Sequence, residues 1–124
     1  MNDSKMKVLI TGSNGFIGQH LVSNLRNEKG ISLVLSSRKY VESLSDLAEQ
    51  FIFSSIDSST NWGKVLAGVD TVVHLAGIAH DIKLNFKNSD TKYIESNIKT
   101  TSNLAKQAVK AGVKRFVYLS SIKV

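Results

Sequence analysis

The sequence has neither cysteine nor proline. Without thiols there can be no disulfide framework and no thiolate metal site, which suits a reducing cytoplasm. The missing proline is unusual in 124 residues and carries no functional implication. Long apolar runs are also lacking. Only Val8, Leu9 and Ile10 separate Lys7 from Thr11, too few for the apolar region of a signal peptide. No stretch approaches the length of a membrane span. The expected address is cytoplasmic, with no membrane partner.

Blocks of like charge are missing too. The net charge is +6, but the bases are scattered: Lys5 and Lys7, Lys83 and Lys87, Lys106 and Lys110, Lys114 and Arg115. There is no run of five and no basic strip interleaved with aromatics, so a nucleic-acid partner is not expected. The excess reads as a solvated basic surface, or as the basic part of a larger protein.

What is present suits one domain with a real core: 42% hydrophobic residues and a mean hydropathy of -0.04. Short aliphatic runs at 7–11, 31–36, 50–55, 70–76 and 115–121 have the continuous apolar character of buried parallel strands. Helix-period segments lie between them. Phe16–Glu28 carries Ile17, Leu21 and Leu25 on one face, with Gly30 to end it. A longer helix is predicted over 91–111, capped by Asn88, Ser89 or Asp90 and ended by Gly112. Its predicted buried face is Ile94, Ile98, Thr101, Ala105, Ala108 and Val109, and Lys110 suits its negative end. Shorter helices are predicted at 41–49 and 61–67. Strand and helix alternating in this way imply an α/β, Rossmann-like, doubly wound parallel sheet of about five strands. The chain stops three residues past the fifth, so a truncated domain is expected.

"TGSNGFIG" follows a predicted strand and opens a predicted helix, the placement that gives a glycine fingerprint meaning. Its spacing is G-x-x-G-x-x-G. Gly12 allows the turn off the strand, and Gly15 lets backbone N–H groups approach a pyrophosphate. Gly18 lets the helix lie close to the sheet.

The stretch, with its Asn14, Phe16 and Ile17, resembles the opening of the extended short-chain dehydrogenase/reductase family, above all its nucleotide-sugar epimerases, dehydratases and reductases. Four further stretches are similar to that family's, in its order. "SSIDSSTNW" resembles the segment where an Asp meets the adenine, here Asp57 with Ser58. "DTVVHLAG" resembles the fourth-strand signature, whose Leu75–Ala76–Gly77 backbone passes along the cofactor. "YIESNIKTTSNLAKQAVKAG" places Asn97 at the family's helix Asn, and "VKRFVYLSS" resembles its fifth strand with Ser120 and Ser121. By this resemblance the whole chain, 1–124, is the NAD(P)-binding portion of such an enzyme.

The residues themselves leave other readings open. Asp57 could simply cap a turn with Ser58 and Ser59. His74, inside an apolar strand, reads as a hydrogen-bonded core histidine. Asn97 lies between Ile94 and Ile98, where a polar amide needs partners, and reads as part of a structural or cofactor-side network.

Where the family's NAD-preferring members need an acid after the second strand, this chain has Ser36, Ser37 and Arg38. That favours NADP, or tolerance of both cofactors, since a carboxylate would repel a 2′-phosphate. The resemblance further implies that Ser121 hydrogen-bonds the reacting sugar oxygen while a tyrosine of a Tyr-x-x-x-Lys pair moves the proton. That pair is absent here: Leu44, Asn97 and Ile122 stand four residues after Tyr40, Tyr93 and Tyr118. The implied activity is epimerisation at C4 of a nucleotide sugar, as in UDP-glucose 4-epimerases, with the present chain inactive alone. A 4-keto-sugar reductase or dehydratase of polysaccharide synthesis shares every motif. A non-catalytic NADP sensor would keep the glycine turn and lack the pair at any length. Family members often dimerise through the 91–111 helix, so a homodimer is a further expectation.

Overall fold

The computed structural model describes residues 5–76 and 87–119, the first seven of the second span by backbone only. The described residues form five strands and two α-helices in the order β1 (Met6–Thr11), α1 (Phe16–Leu25), β2 (Ile31–Ser37), β3 (Ala48–Ile52), β4 (Thr71–His74), α2 (Lys87–Ala111) and β5 (Arg115–Tyr118). They form one sheet in the order β3-β2-β1-β4-β5, and every pairing is parallel. The expected doubly wound sheet is present, with β1 at its centre.

Both faces of the central strands are covered, which is why these strands read as continuous apolar runs. Successive side chains point to opposite faces. Val8, Ile10, Leu33 and Leu35 pack with Val22 of α1 on one side. On the other, Leu9, Val34 and Val72 pack with Leu104 and Ala108 of α2 and with Trp62, Val65, Leu66 and Val69. Leu9 and Ile10 are completely buried, and burial of such a side chain contributes about 1.5–3 kcal/mol.

Several boundaries and faces differ from the sequence pattern. The helix predicted at 41–49 is a short 3-10 turn at Glu42–Leu44, and Ala48 and Glu49 already belong to β3. The Gln50 side chain clasps the Val41 backbone, accepting from its N–H and donating to its carbonyl, both at 2.9 Å. Pairing of Leu33 with Ala48 then draws the segment into the sheet. β3 accordingly ends at Ile52 rather than Ser55. The helix predicted at 61–67 is a series of turns, in which Leu66 N–H reaches the Trp62 carbonyl at 2.9 Å. Gly68, at φ +74°, turns the chain toward β4.

α1 ends at Leu25; of its expected face Leu21 and Leu25 pack half-buried against the core beside the buried Gly18 and Val22, whereas Ile17 is exposed. α2 begins at Lys87, so Asn88, Ser89 and Asp90 lie within it and do not cap it. Its buried positions are Thr100, Leu104 and Ala108, whereas Ile94, Ile98 and Val109 face outward. Two polar side chains explain this rotation. Gln107 accepts the Trp62 backbone N–H at 2.8 Å and donates to the Thr60 carbonyl at 2.8 Å. Asn103 also donates to Thr60, at 2.9 Å. Bonding that loop turns Asn103 and Gln107 inward and carries the isoleucines away from the sheet. The end of α2 is as expected: Gly112 has φ +87°, and Val113 N–H reaches the Ala108 carbonyl at 3.0 Å in a Schellman closure.

Candidate nucleotide site at the glycine turn

A parallel sheet brings the carboxyl ends of its strands to one edge, and a ligand crevice forms where strand order reverses. Here that point lies between β1 and β4. The chain leaves β1 through Gly12, and β4 continues beside it into Leu75 and Ala76. Gly12 and Ser13 donate their N–H groups to the Ser36 carbonyl at 2.9 and 3.2 Å, which folds the turn back over β2.

Gly12 is required twice over. Its φ is +68°, and a Cβ there would lie 2.7 Å from Ala76 N and 2.9 Å from Ala76 Cα. Gly18 is required by proximity, since its Cβ would stand 2.3 Å from the Gly12 carbonyl oxygen and 2.8 Å from Ser13 backbone atoms. α1 therefore rests on the turn itself, a tighter fit than an approach to the sheet. Gly15 differs: its Cβ would meet nothing nearer than Gly12 O at 3.4 Å. It forms the N-cap of α1 with no side-chain cap. The first-turn amides have no partner inside the helix and lie at the positive end of its dipole. Such a terminus suits an anion, and the pyrophosphate of a dinucleotide fits it.

The other expected residues take these places. Asn14 is exposed, its carbonyl accepting from Gln19 Nε2 at 2.8 Å. Phe16 is exposed and meets the His20 ring edge-on at 4.8 Å. Ser37 ends β2 and donates its hydroxyl to the Lys39 carbonyl at 2.7 Å, leaving Arg38 exposed beside it. Asp57 follows β3 in an Asx turn, in which Oδ1 accepts Ser59 N–H and Ser59 O–H at 2.8 Å each. Those bonds lower its pKa, so the turn-capping reading is realised. Ser58 is exposed in the same turn, Leu75 is buried and Ala76 half-buried. Asn97 is half-buried on α2. Gly77, Ser120 and Ser121 lie outside the described residues.

The structure also brings in residues that the sequence did not single out. Thr11 is fully buried at the end of β1. Its Oγ1 accepts the N–H groups of Leu75 at 3.0 Å and Ala76 at 3.2 Å and pairs with His74 Nδ1 at 2.6 Å. The available signal was a hydroxyl residue ending an otherwise apolar strand. Ser36 supplies a carbonyl, for which no side-chain signal exists. A cleft of about 180 Å³ opens beside the turn, between α1 and Glu42–Leu44, lined among others by Ser13, Asn14, Gln19, Arg26 and Ser43.

With this geometry, comparison with known proteins is informative. Residues 8–124 match the model of the NAD dependent epimerase/dehydratase family. The chain belongs to that family.

Among its relatives is the UDP-glucose 4-epimerase of Vibrio cholerae, 40% identical over 124 residues, 98% of this chain and 37% of that protein. MoeE5, solved in complex with UDP-glucuronic acid and NAD, has a TM-score of 0.71 at 33% identity, covering 93% of this chain and 36% of that one. The UDP-glucuronic acid 4-epimerase of Bacillus cereus, solved with NAD, has a TM-score of 0.70 at 26% identity, covering 94% and 40%. The chain thus spans 36–40% of the length of these three proteins. No helix among the described residues is long and apolar enough to cross a membrane.

Proposed function

We propose that this chain is the dinucleotide-binding portion of a nucleotide-sugar epimerase of the UDP-glucose 4-epimerase type. The observation that carries the reading is the glycine turn, where Gly12 crosses Ala76 while Gly15, the N-cap of α1, has no side-chain cap and open space beside its Cα. The amides after Gly15 hold the pyrophosphate. Arg38 and Ser37 border the adenosine ribose, and Asp57 and Ser58 border the adenine. The backbone from Leu75 through Gly77 and Asn97 on α2 line the path toward the nicotinamide. When bound, the nicotinamide supplies hydride transfer at sugar C4. Ser120 and Ser121 follow β5 and would meet the nicotinamide side and the sugar oxygen respectively. The proton transfer belongs to a Tyr-x-x-x-Lys pair that these 124 residues do not contain, so turnover is assigned to a longer protein.

Cofactor choice follows from charge. No carboxylate stands at residues 37–39 to repel a 2′-phosphate, and Arg38 and Lys39 supply cations. The reading is that NADP is accepted at least as well as the NAD found in the solved relatives. Outward-facing Ile94 and Ile98 on α2 support a homodimer through that helix, which sedimentation would reveal.

Calorimetric titration of the chain with NAD, NADH and NADPH tests the reading. Saturable binding of at least one supports it, and no binding of any overturns it. If Arg38→Ala leaves the ratio of NADPH to NADH affinity unchanged, the charge argument is wrong.

A further inference from the structure

The Thr11–His74 pair lies just beneath the turn, and donor counting fixes its protons. A hydroxyl has two acceptor lone pairs and one hydrogen. Thr11 Oγ1 accepts the Ala76 amide and shares the Leu75 amide with the Thr11 backbone carbonyl, which that N–H also reaches at 3.2 Å. The hydroxyl hydrogen is then left for His74 Nδ1 at 2.6 Å, so Nδ1 is the acceptor. A neutral ring accepting at Nδ1 carries its proton on Nε2, which faces Thr101 Oγ1 of α2 at 3.1 Å. The ring is 1% exposed. It is flanked by Tyr118 and Phe116 at centroid distances of 5.6 and 6.3 Å.

We propose that His74 is a positioning residue for the dinucleotide site. Held as the Nε2–H tautomer by Thr101, it orients the Thr11 hydroxyl so that Oγ1 holds the Ala76 amide and, together with the Thr11 carbonyl, the Leu75 amide. The clamp sets the height of the backbone that Gly12 crosses. Shifting Ala76 by a few tenths of an ångström would close or spread that crossing, where the Gly12 Cα already excludes a methyl group. The relay joins β1, β4 and α2, tying the helix that carries Asn97 to the turn. It touches no ligand and acts only through Thr11.

The inference rests on the reading that a dinucleotide lies at this turn, and its test separates the two. In the wild-type chain, two-bond ¹H–¹⁵N spectra should show His74 protonated at Nε2 alone. A proton at Nδ1 overturns the relay whether or not any dinucleotide binds. Amide exchange at Ala76 should be slow in the wild type and faster in His74→Phe, with the β1 amides unchanged and Leu75, which the Thr11 carbonyl also holds, affected less. Unchanged exchange at Ala76 overturns the clamp.

Against NADH or NADPH, whichever the wild type binds, His74→Phe and Thr11→Val should each weaken affinity about tenfold, the scale of one buried unsatisfied donor. Thr11→Ser and His74→Asn, which keep a hydroxyl and a short acceptor, should stay within about threefold by the same scale. Equal affinity for His74→Phe and wild type overturns the positioning role. If that variant fails to fold, the wild-type tautomer still decides. If the wild type binds no dinucleotide, the functional reading fails while the tautomer and exchange results still stand or fall by themselves.

Discussion

Replacing each glycine of the turn with alanine should give three different phenotypes. At position 18 the new methyl would sit 2.3 Å from the Gly12 carbonyl oxygen and 2.8 Å from Ser13 C and Cα. Carbon and oxygen come into contact at about 3.3 Å, so α1 must retreat by about 1 Å. Both obstacles are backbone and the interior is close-packed, so the cost should reach the upper end of the usual overpacking range, about 3 kcal/mol. At position 12 the left-handed conformation costs about 1–2 kcal/mol, before the 2.7 Å clash with Ala76 N is counted. At position 15 the backbone is extended, at φ -78° and ψ 176°, and any residue adopts it. Stability there should change by less than about 1 kcal/mol. The methyl would nevertheless stand in the open space at the helix terminus, so dinucleotide affinity should fall tenfold or more (about 1.4 kcal/mol). Urea unfolding followed by fluorescence measures the first quantity, since Trp62 is the single tryptophan and is fully buried. Titration with NADH or NADPH measures the second. Gly18→Ala as stable as wild type would refute the close approach. A well-folded Gly15→Ala with undiminished affinity would remove the pyrophosphate from this turn.

Acid should destabilise the fold through His74, whose pKa burial lowers from 6.5 to about 4. The unfolded chain takes up that proton first, so stability is full above pH 6.5 and falls as pH drops toward 4, by about 3 kcal/mol in all. Urea midpoints measured across that window should fall less steeply in His74→Phe than in wild type. On α2, Leu104→Ala should cost about 2–5 kcal/mol, whereas Ile98→Ser should stay within about 0.5 kcal/mol. The reverse order would restore the helix face expected from the sequence. Gln107→Ala removes the bonds to Trp62 and Thr60 and strands the Trp62 backbone N–H, so thermal unfolding should show a loss of about 1–3 kcal/mol.

The strands were legible because a sheet covered on both faces leaves an uninterrupted apolar signature, as in Val8–Ile10 and Leu33–Leu35. The glycine turn was legible because three independent constraints, φ at Gly12, contact at Gly18 and open space at Gly15, converge on one residue type. Helix faces were less readable. Polarity counts Asn103 and Gln107 as solvent-facing, yet loop carbonyls and amides distant in sequence satisfy them inside. The same long-range effect replaced a helix at 41–49, where Gln50 holds Val41 and β2 claims Ala48. Asp57 shows a different limit. An Asx turn and an adenine contact need the same carboxylate at the same place, so its residue type could not separate them.

The position of β1 has a consequence for how the chain assembles. Its partner β2 lies about one helix away, but Val8 meets Thr71 of β4, 63 positions further along the chain. Closing that loop costs entropy before any contact repays it. During synthesis, then, the β1–β2–β3 half can form while the Gly12–Ala76 crossing does not yet exist. Binding competence should arrive in one late step, when β4 docks, rather than accumulate as the chain lengthens. Pulse-labelling hydrogen exchange during refolding should therefore protect the amides of β2 before those of Leu75 and Ala76.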